Sequence, residues 1–157
     1  MAAPRPYGQR RADALAILTA PAADAWVATA SSEGTAYLVP LSIGWTGDSI
    51  VLVTLRRSPT ARNLAAAPGV RLGLGGTRDV VMVDGEVVTE ADLPNAPAPL
   101  LDAFAAQSGW DPRQDSNAAD YQVFEVRPVQ LQAWREANEL RGRTLLRDSA
   151  WVDDPEP

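Results

Sequence analysis

Apolar and polar positions alternate in short runs over most of this chain, and the runs are separated by residues that favour turns. Ala25 to Ser31 sets Trp26 and Ala28 against Val27 and Thr29, which predicts a half-buried strand, and Ser32-Glu33-Gly34 supplies the turn after it. Thr35 to Trp45 returns, with Pro40 marking an edge, a bulge or a bend. Thr46-Gly47-Asp48-Ser49 is the next tight turn, and Ile50 to Leu55 follows as a continuous apolar run suited to a sheet interior. Val70 to Gly75 predicts a further strand, and Val80 to Val83 and Glu86 to Val88 flank Asp84-Gly85 as a hairpin. That makes six strands by residue 90, joined by turns too short for parallel crossovers, so the pattern favours an antiparallel barrel or meander.

Helical spacing occurs in three places. Ala12, Leu15, Ala16 and Leu18 predict an amphipathic helix over Gln9 to Thr19, with Arg10 and Arg11 on its solvated face. Leu100 to Gln107 predicts another after the joint Pro94 to Pro99. The third is short: Ser58 is placed to cap a helix with Pro59 at its first position, and Pro68 closes it. Ser108 to Ala119 reads as a polar loop around Trp110, and Tyr121 to Val126 and Val129 to Arg135 as two strands interrupted by Pro128. With 157 residues the chain is the size of one domain, 1–157, with residues 1–8 and about 148–157 expected to be flexible.

Composition narrows the chemistry. There is no cysteine and no histidine, which removes disulfides, thiolate nucleophiles, imidazole bases and the commonest metal and haem ligands, so no metal centre is expected. The sequence has no apolar run of membrane-spanning length and no signal-peptide pattern, so a soluble cytoplasmic protein without membrane partners is expected. A net charge of −6 argues against broad nucleic-acid binding.

Against that acidity, the segment between Asp48 and Asp79 holds five arginines, Arg56, Arg57, Arg62, Arg71 and Arg78, and no acid. Three of them flank the predicted start of the helix at Ser58, where unpaired N–H groups and the helix dipole favour an anion such as a phosphate. The alternative is that Arg56, Arg57 and Arg62 are solvated side chains at a strand–helix junction.

The stretches AWVATASSEGTAYLVPLSIGW, VLVTLRRSPTARNL, VRLGLGGTRDVVMVDGEV and QAWREANELRGRTLLRDSAWV together resemble the pyridoxamine 5'-phosphate oxidase-like, FMN-binding split-barrel family of actinobacterial type. The resemblance implies a mainly β fold, a six-stranded antiparallel split β-barrel that forms a homodimer with cofactor grooves between the subunits. It implies that Thr54 to Asn63 hold a cofactor phosphate, with Arg57, Ser58 and Arg62 in contact, Thr54 and Thr60 in support, and Arg56 and Asn63 within the same stretch. Val39, Pro40, Leu41 and Ser42 would pass beneath the flavin or deazaflavin ring, and Trp134 and Arg135 would reach a cofactor groove; a core or interface role is the alternative for Trp134. Where relatives carry a lysine in the phosphate motif, this chain has none.

The function implied is hydride transfer between F(420) or FMN and a small unsaturated substrate, with no catalytic residue identified. The cofactor carries such chemistry, so the missing histidine and cysteine are no obstacle. The alternative is a non-catalytic carrier or sensor of a flavin or deazaflavin, and a haem-degrading split barrel is disfavoured by the lack of histidine.

Overall fold

The computed structural model describes residues 2–153. The ends expected to be flexible lie partly outside these residues, at Met1 and at 154–157. The order of elements is α1 (Tyr7–Leu18), β1 (Asp24–Ala30), β2 (Ala36–Ser42), β3 (Gly44–Trp45), β4 (Ile50–Leu55), α2 (Pro59–Ala66), β5 (Gly69–Gly76), β6 (Asp79–Asp92), α3 (Ala98–Ser108), β7 (Tyr121–Trp134), β8 (Thr144–Arg147) and β9 (Ala150–Trp151). The fold is mainly β with three short helices. Its strands form one curled antiparallel sheet, a half-barrel, in the order β2-β1-β5-β6-β7-β4-β3, with β8 and β9 beside β7.

The sequence pattern predicts eight strands and the resemblance a six-stranded barrel, and the described residues form nine strand segments. The difference has local causes. Asp84-Gly85 is not a hairpin turn, and Pro128 does not interrupt a strand: β6 and β7 each run unbroken for 14 residues. Gly85 lies opposite Pro128, where the pairing register shifts. A proline cannot donate to the ladder, and a Cβ on Gly85 would stand 2.5 Å from Val126 Cγ1, so the glycine and proline together mark a bulge that bends two long strands. The strand predicted over Thr35 to Trp45 divides at Ile43. Pro40 lies on the sheet's edge strand, paired on one side only with Trp26.

The main core lies inside the curl. Val27, Ile50, Leu52, Leu72, Phe124 and Leu145 are fully buried there, and helices α1 and α2 cover it through Ala14, Leu18, Ala61 and Leu64. Each large apolar side chain buried in this way contributes about 1.5–3 kcal/mol. A second core gathers Val51, Val53 and Val123 from the other face of β4 and β7 against Leu100, Leu101 and Phe104 of α3. Gly44 allows that helix to close on β3, since a Cβ there would meet Phe104 Cα at 2.5 Å.

Arg10 is a correction to the sequence reading. It is 7% exposed, not solvated, and its guanidinium donates to the carbonyls of Arg5 (3.0 Å), Glu139 (3.1 Å) and Gly142 (3.1 Å). Arg11 is half-buried and lies over the Trp151 ring at 4.4 Å. Arg5 adds a fork of hydrogen bonds to Glu139 at 2.8 and 2.7 Å, so the N-terminal arm clasps the loop that follows β7. Among the described residues no helix is long and apolar enough to cross a membrane.

Candidate functional site

The junction of β4 and α2 forms as its residue types dictate. Thr54 and Leu55 end β4 against Gln122 and Tyr121 of β7. A turn follows, in which Ser58 N donates to Leu55 O at 2.9 Å. Ser58 then adopts an extended conformation and its Oγ accepts from Ala61 N at 3.1 Å, with Pro59 at the first helical position. The cap satisfies one of the helix's free donors, and replacing it with alanine would cost about 1 kcal/mol. The Thr54 hydroxyl lies 3.3 Å from Ser58 Oγ. Asn63 donates to Thr29 Oγ1 at 3.0 Å and so ties the helix to β1.

The acid-free run of five arginines divides once the chain is folded. Arg56 reaches Asp92 at 3.4 Å and donates to Ala119 O at 2.7 Å. Arg71 makes a two-pronged pair with Asp84, its Nη2 at 2.9 Å, and Arg78 pairs with Glu136 at 3.0 Å. These acids come from strands and loops distant in sequence. Arg57 and Arg62 are both exposed and have no acidic partner among the described residues. A cavity of about 270 Å³ is lined by Leu55, Arg56, Arg57 and Asp120.

Thr60 adds a second kind of observation. It is 1% exposed in the first turn of α2, and its hydroxyl has no hydrogen-bond partner. A buried hydroxyl without a partner costs roughly 1–3 kcal/mol, so such a group usually has a use.

The ring-contact residues expected from the sequence lie on β2, against which α2 packs, and at the end of β7. Val39, Pro40, Leu41 and Ser42 form the second half of β2, whose outer side has no neighbouring strand, and Ser42 donates to Asp24 at 3.1 Å. Trp134 ends β7, half-buried, with the Arg143 guanidinium 5.3 Å from its ring centre. Arg135 is committed to Asp79 at 3.1 Å and Asp13 at 3.3 Å.

Sequence reasoning missed a groove on the outer face of the sheet. Its volume is about 490 Å³, and Trp26, Leu38, Gly73, Met82 and Trp134 line it. Trp26 faces Pro40 on one side and Gly73 on the other, Gly73 faces Met82, and Val80 faces Trp134. The available signal was the small residues Ala28, Gly73 and Gly75 at positions that alternate with buried ones. It becomes legible only when the long-range pairing of β1, β5 and β6 is known.

Residues 16–135 match the pyridoxamine 5'-phosphate oxidase family. No curated protein matches the chain. Among solved structures it is similar to an F420 reductase, at 20% identity and a TM-score of 0.59, covering 74% of this chain and 93% of that one. A heme binding protein from Mycobacterium smegmatis is similar at 23% identity and a TM-score of 0.60, over 86% of this chain and 56% of that one. The General Stress Protein 26 from Bacillus anthracis is similar at 12% identity and a TM-score of 0.54, over 80% and 93%. At these identities the structural likenesses speak to the fold alone, and they agree with the sequence match. From strand β1 to the end of β7, with the strand–helix junction inside that span, the chain belongs to the pyridoxamine 5'-phosphate oxidase family.

Proposed function

We propose that the protein is a flavin- or deazaflavin-dependent oxidoreductase, working as a homodimer, that transfers a hydride between F(420) or FMN and a small unsaturated substrate. The observation that carries this reading is the pair of unpartnered arginines, Arg57 and Arg62, at the capped start of α2, beside the orphaned hydroxyl of Thr60. A phosphate fits this donor set: two guanidinium groups, a helix N-terminus and a hydroxyl. Arg56 and Arg135, already tied to acids, would frame the site and leave anion contact to Arg57 and Arg62. The free edge of β2 at Val39 to Ser42 offers backbone donors and acceptors to a ring, and Trp134 offers a flat apolar wall.

When bound, the cofactor supplies the hydride chemistry, and the chain's own residues bind and orient it and exclude water. One observation favours the second reading, a carrier or redox sensor. The carboxylates whose pKa is displaced, Asp13, Asp111 and Glu139, are all moved downward by hydrogen bonds from arginine and lie outside β2 and α2. None of the three is poised as a general acid at the proposed site.

The test is a titration of the purified protein with FMN and with F(420), followed by turnover of the bound cofactor with an added acceptor. Binding with turnover supports the oxidoreductase, and binding without it supports the carrier. No binding of either cofactor at up to millimolar concentration sinks both.

A further inference from the structure

We propose that Asp120 sets the charge class of the anion held at the start of α2, so that the junction takes a singly charged phosphodiester and disfavours a doubly charged phosphomonoester. This rests on the anion site of the reading above and is independent of whether the cofactor is turned over or only carried.

The backbone pins Asp120 beside the arginines. Its carbonyl accepts from Arg56 N at 2.8 Å, its own N–H donates to Asn117 O at 2.8 Å, and Arg56 Nη2 donates to Ala119 O at 2.7 Å. The next residue, Tyr121, pairs with Leu55 at the end of β4, and its ring meets that of Trp110 at 5.4 Å between centres. Asp120 thus lines the same cavity of about 270 Å³ as Arg56 and Arg57. That volume is below the ~300–1,000 Å³ of pockets that enclose a whole drug-sized ligand, so it takes one end of a cofactor. The Asp120 carboxylate is exposed and makes no ion pair or side-chain hydrogen bond among the described residues. An acid that shares a cavity with Arg57 without pairing to it acts on whatever anion enters.

Charge decides which anion that is. Arg56 is cancelled by Asp92 at 3.4 Å, and Asp120 offsets one of Arg57 and Arg62, so the junction keeps a single positive charge in excess. A phosphodiester carries one negative charge, whereas a phosphomonoester carries about −1.5 to −2 at neutral pH. Attraction to the site grows in proportion to the charge of the ligand. The cost of stripping water from the ligand grows as the square of that charge, so a site with one positive charge in excess repays the diester best. Asp120 therefore selects by opposing the wrong ligand and needs no contact with the right one. F(420) carries its phosphate as a diester and FMN as a monoester, so of the two the junction suits the deazaflavin.

The test holds the ring constant and changes only the ester. FMN and the cyclic phosphodiester of riboflavin are titrated at neutral pH and low salt into the wild type, Asp120→Asn, Asp120→Glu and Arg57→Ala, with thermal midpoints to verify the fold. The Asp120 substitutions keep the backbone hydrogen bonds, so folding is not at risk. The wild type is expected to bind the diester more tightly than FMN. Removing the carboxylate acts in proportion to ligand charge, so Asp120→Asn should raise affinity for FMN about tenfold and for the diester about threefold. Asp120→Glu should keep the wild-type order, and Arg57→Ala should weaken both ligands. A wild type that prefers FMN overturns the proposal, as does an Asp120→Asn variant in which the two affinities are unchanged, rise equally or fall together. In each of those cases a loss of binding in Arg57→Ala leaves the arginine site intact. A wild type that binds neither flavin also overturns the assignment of Asp120, and the effect of Arg57→Ala on F(420) binding then judges the arginine site separately.

Discussion

Two arginine clusters in this protein have the same chemistry and opposite circumstances. In the N-terminal clasp, Arg5 and Arg10 are largely withdrawn from water, and their guanidinium groups donate to carboxylates and backbone carbonyls around them. Glu139 accepts from Arg5 at 2.8 and 2.7 Å and from Arg135 N at 2.8 Å, and Arg5 also reaches Asp13 at 2.6 Å. At the start of α2, Arg57 and Arg62 stand exposed and make no ion pair among the described residues, although Asp120 lines the cavity beside Arg57, and the buried Thr60 hydroxyl in the same turn has no partner. Of the five arginines between Asp48 and Asp79, folding pairs three with acids and leaves these two at a helix N-terminus, a charge available for something else to meet. The clasp belongs to stability and the junction to binding.

The strongest way to break that contrast is at Glu139. Its side chain is 4% exposed, and removing it would leave Arg5 without its main partner. Glu139→Ala is expected to cost about 3–5 kcal/mol of stability, read as a fall in the thermal or denaturant midpoint. A loss below about 1 kcal/mol would place the clasp among ordinary surface pairs.

Acid should probe the same contact. Hydrogen bonds from Arg5 hold the Glu139 carboxyl down at about 2, against an ordinary value of 4.5, although burial opposes them. A depressed carboxylate stabilises the fold fully above its unfolded pKa, and that contribution fades as pH falls through the folded one. Stability is therefore expected to decline from about pH 4.5 towards pH 2, with a shallower decline in Glu139→Gln. Parallel acid curves for the two proteins would assign the decline to other groups.

At the junction the expectation reverses. Arg57→Ala and Arg62→Ala should leave the thermal midpoint unchanged and weaken cofactor binding, since a charge-assisted hydrogen bond contributes about 1.5–3 kcal/mol, or roughly ten- to a hundredfold in affinity. Affinity for FMN and F(420) unchanged in both variants would make these arginines solvated residues and remove the anion site.

How much of this contrast can be read from the sequence depends on how local its cause is. The cap at Ser58, the proline after it and the apolar run Ile50 to Leu55 follow from neighbouring residues, and the structure holds each of them; for Pro40 it selects the edge from the edge, bulge or bend that the sequence left open. The five arginines between two distant acids look alike in sequence. Three are then neutralised by Asp92, Asp84 and Glu136, which arrive through strand pairing and loop packing. Arg10 departs from the solvated position expected of it for the same reason, because two of the carbonyls it binds, those of Glu139 and Gly142, lie more than a hundred residues away. The turn expected at Asp84-Gly85 failed differently: a glycine that permits a hairpin equally permits a bulge, and only Pro128 opposite it decides.

The smallest expected effect is the most discriminating. Thr60 is buried with an unpaired hydroxyl, and valine has nearly the same shape, so Thr60→Val removes the polar group without opening a cavity. If the hydroxyl serves only packing, its removal relieves an unmet hydrogen bond and raises stability by about 1 kcal/mol, with no change in binding. If it serves an anion held by Arg57 and Arg62, the same gain in stability should come with a several-fold loss of cofactor affinity, since a neutral hydrogen bond contributes about 0.5–1.5 kcal/mol. Opposite movement of the two quantities is the mark of a group kept for binding at the expense of the fold. A rise in stability with affinity unchanged confines the anion site to the arginines and the helix start. A fall in stability would mean that the hydroxyl already has a partner within the folded chain, and Thr60 would then join the clasp on the structural side of the comparison.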